Sequence, residues 1–317
     1  MPLAETEMML VIAGFVLLML GGEFVVQGAV TIANRLRVPP LLVGFTIVAI
    51  GTSLPELAVA LEAVGNDTPD IAVGGVLGSN VANVMLVLGT AAVLGAASDP
   101  GPGVRRDAIA VAVATAILLV AVLIGNITWQ LGVLMLLGLA AYYTYSYRTS
   151  KLEGGDVEDS KSWLPENVLL AIPATAVGGY MIWTGAEMLV EGATGLAIDY
   201  GISESVIGLS VVALGTSLPE LAVTLVAGLR GQGGVAVGNI LGSNVINILG
   251  ILGLASVYAG GIIIAPEFAG RDIWVVVLTS GFIVAMLLDE RHIGRRVGTT
   301  MIAGYLAYMA FLFLLPQ

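Results

Sequence analysis

Cysteine is absent from the 317 residues, and histidine occurs once, as His292. Without thiols there can be no disulfide framework, iron–sulfur cluster or thiolate metal site, and a single imidazole excludes a multi-histidine metal centre. His292 stands beside Arg291, where a solvated loop residue is the plain reading. Charge is scarce as well: 11% of residues are Asp, Glu, Lys or Arg, against 57% hydrophobic. A soluble domain carries roughly 25% charged residues, so a water-facing surface over most of the chain is excluded. The formal net charge of −11 argues against nucleic acid as a partner. No phosphate-binding loop or nucleotide motif occurs, so any work must be driven by an ion gradient. Ser53 and Ser217, which recur in a repeated motif, have no histidine partner, which argues against hydrolase chemistry and against an enzyme. No cofactor is expected, and no obligate protein partner is evident.

What is present is hydrophobic length. A hydrocarbon core of about 30 Å needs about 20 apolar residues per helix, and such runs recur between turn signals near 8–33, 40–64, 70–96, 105–124, 128–147, 166–196, 205–229, 234–260, 271–288 and 297–315. The acidic start, Met1 to Glu7, is unlike a secretory signal, so the first run reads as a spanning helix. Ten spans put both termini on one side. Eleven basic residues then fall on the other: Arg35, Arg37, Arg105, Arg106, Arg148, Lys151, Lys161, Arg230, Arg291, Arg295 and Arg296, leaving Arg271 alone. An error in helix number would scramble this partition. The positive-inside rule makes the basic side cytoplasmic, with both termini outside and the acidic linker 148–165 inside the cell. The expectation is an all-α, multi-pass protein of the cell (inner) membrane: a first five-helix repeat over 1–147, the linker, and a second repeat over 166–317.

The halves are related by a constant offset of 164. Gly51-Thr52-Ser53-Leu54-Pro55-Glu56-Leu57-Ala58-Val59 recurs unchanged at 215–223, and Gly78-Ser79-Asn80-Val81 matches Gly242-Ser243-Asn244-Val245. Asn83 matches Asn247, Glu23 matches Glu187, and Gln27 stands opposite Glu191. An odd number of spans per half turns the second copy upside down, which is the inverted-repeat plan of secondary transporters, with sites at the midplane formed by broken helices.

The repeated residues suit a hard cation. Pro55 cannot donate to the Gly51 carbonyl and clashes with it, so the helix is expected to break there, and Pro219 should act likewise on Gly215. Irregular backbone at membrane depth must face protein or a wet cavity. Glu56 and Glu220 follow the breaks, with Thr52 and Thr216 one helical turn earlier on the same face. Ser79 and Asn83, and Ser243 and Asn247, share faces at the same spacing. Every donor offered is oxygen, which suits sodium or calcium and disfavours zinc or copper. Two ionised carboxylates about 5 Å apart repel by roughly 3 kcal/mol at an effective dielectric near 20. One calcium, two or three sodiums, or protons would neutralise them, and that competition is a physical basis for exchange.

Other features carry blander readings. Gly74 and Gly78, and Gly238 and Gly242, form spacings that permit close helix approach. Glu23 and Glu187 either line an ion path or hydrogen-bond a neighbouring helix. Glu62 and Glu191 read as surface or vestibule acids, and Tyr142, Tyr143, Tyr145 and Tyr147 as an interfacial aromatic belt.

Two copies of Gly-Thr-Ser-Leu-Pro-Glu, each followed by Gly-Ser-Asn-x-x-Asn, resemble the paired alpha repeats of the calcium/cation antiporter superfamily, and within it the prokaryotic sodium/calcium exchangers. The resemblance spans both halves. It implies the ten-helix exchanger fold, a core of the second, third, seventh and eighth helices, and a first and sixth helix that slide across it. It further implies Glu56 and Glu220 as shared calcium and sodium ligands. Thr52, Ser53, Thr216, Ser217, Ser79 and Ser243 would add oxygens, the carbonyls of Ala49 and Ala213 would complete outer sodium sites, and Asn83 and Asn247 would close the central site. Some relatives carry aspartate at the position of Asn247; here two amides leave a site charge of −2, which argues against potassium coupling. The expected activity is alternating-access exchange of sodium for calcium. The competing readings are a calcium/proton antiporter of the same fold and a passive cation channel.

Overall fold

Backbone groups in hydrocarbon must be satisfied within the segment, so apolar runs of this length can only be helices. The computed structural model describes residues 3–97, 101–152, 162–165, 167–199, 215–289 and 293–314. Helix α1 (Leu3–Leu36) is followed by a broken span made of α2 (Pro40–Val43), a π-helical turn (Gly44–Val48), α3 (Ala49–Thr52) and α4 (Leu54–Gly65). Then come α5 (Pro69–Ala82), a second π turn (Asn83–Leu88) and α6 (Gly89–Leu94), followed by α7 (Val104–Ile124) and α8 (Trp129–Leu152). The second half has α9 (Val168–Asp199), α10 (Leu218–Leu229), and α11 (Gly233–Val245) with a third π turn (Ile246–Leu252) and α12 (Gly253–Ala259). A short α13 (Pro266–Gly270) precedes α14 (Asp272–Leu288) and α15 (Arg295–Leu314). Residues 205–214 of the expected seventh span lie outside the described residues, as do Lys161, Arg291 and His292.

The break in the second span lies two residues before the proline. The two pieces are bent by 45° at Ser53 (φ −87°, ψ 6°), and Pro55 sits in the first turn of α4. A first turn tolerates proline because its N–H would be unpaired anyway, so the chain kinks ahead of the ring. In the second half Ser217 has the same bridge conformation (φ −90°, ψ 0°), with Pro219 in the first turn of α10.

Contacts between loops sort the chain into two ends, as ten spans require. At one end, strand β1 (Asn126–Thr128) pairs antiparallel with β2 (Gly261–Ile263), Asn126 opposite Ile263, and the Ala265 amide donates to Asp70 at 3.2 Å. At the other end the start of α7 meets the last turns of α8: Arg106 donates to the Ser146 carbonyl (3.2 Å), Thr149 Oγ1 (3.0 Å) and Ser150 Oγ (3.0 Å). The small ribbon was not foreseen in the sequence.

Arg106 also pairs with Asp107 at 2.8 Å, and Asp107 accepts from the Tyr142 hydroxyl. Asp107 is fully buried, so this pair fastens α7 to α8 out of water. Tyr142 and Tyr143 turn inward, with ring centroids 5.4 and 6.2 Å from Phe45. An interfacial belt therefore accounts for only the exposed Tyr145 and Tyr147, and α8 runs on to Leu152 rather than ending at 147. Arg106→Ala removes the cation from a buried pair, a change worth about 3–5 kcal/mol. Its thermal midpoint in detergent should fall clearly below that of wild type, while an Arg148→Ala control should not move.

Helices α1 and α9 pack together along a seam of repeat-related glycines. A Cβ built on Gly14 would lie 2.6 Å from the Gly185 carbonyl oxygen, one on Gly21 2.7 Å from that of Gly178, and one on Gly192 2.6 Å from that of Glu7. Gly14, Gly21 and Gly178, Gly185, Gly192 recur every seven residues, so one face of each helix is free of side chains and the backbones touch, as in other small-residue membrane interfaces. Gly238 and Gly242 do the same for α11 against Leu41 and Phe45, where a Cβ would overlap backbone carbonyls. Gly74 and Gly78 do not: Gly74 faces the Phe268 ring at 3.4 Å, and among the described residues nothing lies within 4 Å of a Cβ on Gly78. The expected symmetry of the two glycine pairs is not observed.

Candidate functional site

The two breaks bring the first turn of α4 and the first turn of α10 against the polar faces of α5 and α11. Of the residues singled out in the sequence, Ala49, Thr52, Ser53, Glu56, Ser79, Asn83, Ser217, Glu220, Ser243 and Asn247 are all buried, and Thr216 is half-buried. Ala213 lies outside the described residues. Intramembrane carboxylates cost at least about 2.5–3.5 kcal/mol on insertion scales and mark function by default, and here two are removed from water.

Hydrogen bonds cross between the halves. Ser53 Oγ donates to Glu220 Oε1 at 3.2 Å, and Ser243 Oγ donates to the same oxygen at 3.3 Å. Thr52 Oγ1 donates to Asn239 Oδ1 at 3.1 Å and lies 3.4 Å from Ser243 Oγ. Asn247 Nδ2 donates to Asn80 Oδ1 at 3.5 Å. The Ala49 carbonyl accepts from the Ser53 amide (3.1 Å) and the Thr52 hydroxyl (3.3 Å), one helical turn before the break. Glu56, Ser79 and Thr216 line one small cavity. Ser217 Oγ, Glu220 Oε2, Asn247 Oδ1 and both polar atoms of Asn83 are buried without a hydrogen-bond partner. Buried orphan polar atoms are rare and call for an explanation such as an absent ion. Here they are oxygens and amides of one cluster, the donor chemistry that hard cations take.

The π turns at Asn83–Leu88 and Ile246–Leu252 begin at or one residue before the two site asparagines. Such turns shift side-chain direction within a helix and are frequent at functional sites. Their positions were not legible from the sequence. Asn239, Asn80, Asn244 and Thr224, all buried, were also missed. Asn80 and Asn244 belong to the repeated Gly-Ser-Asn segment itself, and Asn239 is one helical turn before Ser243, so spacing could have found them.

Glu23 and Glu187 resolve into hydrogen-bonding roles. Glu23 accepts from Gln27 (3.0 Å) and the Trp163 indole (2.9 Å) and pairs with Arg230 at 2.8 Å. Glu187 accepts from the Trp183 indole at 2.7 Å. Glu62 and Glu191 are exposed. An apolar cavity of about 580 Å³ between α1, α9 and the broken second span reaches the site at Thr52, Pro55 and Pro219.

Among the described residues no group of three or more His, Cys, Asp and Glu could hold a metal. The arrangement is thus two carboxylates amid hydroxyls, amides and carbonyls, suited to ions that bind and leave.

Comparison with known proteins agrees with this geometry. The family model described as sodium/calcium exchanger protein matches residues 6–148 and 170–314. The inner membrane protein YrbG of Escherichia coli is 35% identical over 96% of each chain. The sodium/calcium exchanger MaX1 of Methanosarcina acetivorans is 29% identical over 96% of this chain and 98% of its own. The solved structure of the sodium/calcium exchanger from Methanococcus jannaschii superposes with a TM-score of 0.81 at 29% identity, covering 97% of this chain and 98% of that one. With the ten-helix fold of two inverted five-helix repeats that it shares with the solved exchanger, and a buried oxygen cluster where the repeats meet, the chain is a multi-pass membrane cation antiporter and belongs to the sodium/calcium exchanger family.

Proposed function

We propose that the protein exchanges sodium for calcium across the cell membrane by alternating access, with both termini outside and the linker 148–165 in the cytoplasm. The observation that carries this reading is the pair of buried carboxylates, Glu56 and Glu220, set among oxygen donors from both repeats. In this reading Glu56 and Glu220 are shared by both ions. Thr52, Ser53, Ser79, Thr216, Ser217 and Ser243 add hydroxyl oxygens, Ala49 and Ala213 contribute carbonyls, and Asn83 and Asn247 close the centre. The site charge of −2 balances one calcium. Two or three sodiums replace it, and the empty, doubly ionised site is disfavoured by repulsion between the carboxylates. Relatives named as sodium/calcium exchangers support the pair of ions, and the basic loops support the orientation.

If three sodiums exchange for one calcium, one charge crosses per cycle, worth about 2.3 kcal/mol per 100 mV. The test is calcium-45 uptake into proteoliposomes loaded with sodium, choline or acid buffer, with and without a voltage set by valinomycin and potassium. Uptake should require internal sodium and respond to voltage. Uptake that follows the proton gradient instead would establish the calcium/proton reading, and uptake with neither gradient would establish a channel.

A further inference from the structure

The two carboxylates occupy equivalent positions in the repeats, yet their surroundings differ. Glu220 Oε1 receives two hydroxyls, from Ser53 and Ser243. The Glu220 backbone carbonyl accepts from Asn239 Nδ2 at 3.5 Å, and the Asn239 side-chain oxygen receives Thr52. Offset by 164, the same set would be Ser217 and Ser79 on Glu56, with residue 75 tying Glu56 to Thr216. None of these bonds forms: both Glu56 carboxylate oxygens and Ser217 Oγ are buried without a partner.

The sequence supplies a reason. The position equivalent to Asn239 is Gly75, which has no side chain to make either bond. In its place is a cavity of about 30 Å³ lined by Glu56, Ser79, Thr216 and Gly75, with Val59 and Ile71 nearest the 66–69 loop. Both Val59 (42%) and Ile71 (56%) are exposed. A buried water needs at least about 10–15 Å³ of such volume; Ser79 and Thr216 line the space beside Glu56, whose carboxylate oxygens are themselves buried. Among the described residues nothing lies within 4 Å of a Cβ built on Gly75, so the space is real at the scale of a side chain.

We propose that this asparagine-to-glycine difference makes the two carboxylates unequal: Asn239 is a positioning residue that seals Glu220 within protein, while Gly75 leaves Glu56 without a hydrogen bond beside a small cavity through which the ion reaches it from the face of the 66–69 loop. The carboxylate that trades water for an ion is then Glu56, and Glu220 is the fixed pole of the site. The proposal deepens the exchange reading and rests on it. The 66–69 loop belongs to the face that the orientation above makes extracellular.

The decisive variant is Gly75→Asn, which installs in the first repeat the amide that the second already has. In proteoliposomes of defined orientation the apparent calcium KM at the loop face should rise about tenfold, the scale of one added buried hydrogen bond that the ion must displace, with the KM at the opposite face unchanged. Asn239→Gly should open the matching path and lower the KM at the opposite face relative to the loop face. Because each comparison is between two faces of one preparation, misfolded protein cannot mimic it. Hydroxyl-radical footprinting in ion-free detergent reads bound water without any transport: Glu56 should be labelled in wild type and protected in Gly75→Asn, with Glu220 unlabelled in both. Equal labelling of the two carboxylates, or a Gly75→Asn effect of equal size at both faces, would overturn the proposal. A wild type that is labelled as expected yet does not exchange sodium for calcium would overturn the functional reading alone.

Discussion

Glu220→Gln is expected to cut sodium-driven calcium uptake by about a hundredfold or more while leaving a folded protein that, in ion-free buffer, resists heat better than wild type. The first effect follows from charge. At the 2.3–2.6 Å of a calcium–oxygen contact, one carboxylate charge acting on a divalent ion is worth roughly 13 kcal/mol at an effective dielectric of 20, before desolvation is subtracted. A net loss of about 3 kcal/mol already exceeds a hundredfold in affinity, and glutamine keeps the shape while losing the charge. The second effect has the opposite sign because the empty site holds two acids that repel each other. Glu56 and Glu220 are both buried in one cluster, so neutralising one removes the repulsion between two ionised carboxylates. A thermal-shift series separates the two. Wild type should gain about 2.7 kcal/mol at a calcium concentration of 100 times Kd, whereas Glu220→Gln should start higher and remain flat. A variant that still gains stability from calcium would place the ion elsewhere.

Gly178→Leu should be strongly damaging although it lies away from the ions, and Gly179→Leu, its neighbour, should be tolerated. A Cβ on Gly178 would lie 2.7 Å from the Gly21 carbonyl oxygen and 2.9 Å from the Val25 amide nitrogen. These are backbone atoms of α1 that cannot rotate away. The helices must separate along the whole seam, and overpacking of this kind costs about 1–3 kcal/mol even where side chains can give way. Around Gly179, among the described residues, nothing lies within 4 Å of a Cβ. Yield of monodisperse protein and initial uptake rate should both collapse for Gly178→Leu and stay near wild type for Gly179→Leu. Similar behaviour of the two would mean that the α1–α9 seam is not tight in the membrane.

The architecture was legible in the sequence because hydrocarbon leaves few choices. Apolar length gave the spans, the sorting of eleven basic residues gave their parity, and the repeated Gly-Thr-Ser-Leu-Pro-Glu segment located the breaks to within two residues. The helix ends at Pro69, Val104 and Leu288 fall within a residue or two of the expected bounds because loops and glycines interrupt the apolar runs there. What escaped was set by geometry that no local pattern encodes. Three π turns depend on packing rather than composition. Asp107 follows Arg105 and Arg106 at a helix start, where charge reads as solvated, and its burial depends on its neighbour Arg106 and on Tyr142 arriving from another helix. Tyr142 and Tyr143 looked interfacial because an aromatic cluster near a helix end usually is, but they pack on Phe45 inside. The identity of the repeats also suggested an equality that the site does not have, since the residues that distinguish the halves, Asn239 and Gly75, lie outside the repeated words.

The most direct test of a single site shared by competing cations is equilibrium calcium-45 binding to the purified protein, titrated with sodium. One calcium should bind per chain, sodium should displace it with a Hill coefficient above one because more than one sodium must enter to neutralise the same two charges, and Glu56→Gln should bind neither ion measurably. Calcium that stays bound at saturating sodium, or that binds undiminished to Glu56→Gln, would contradict the account.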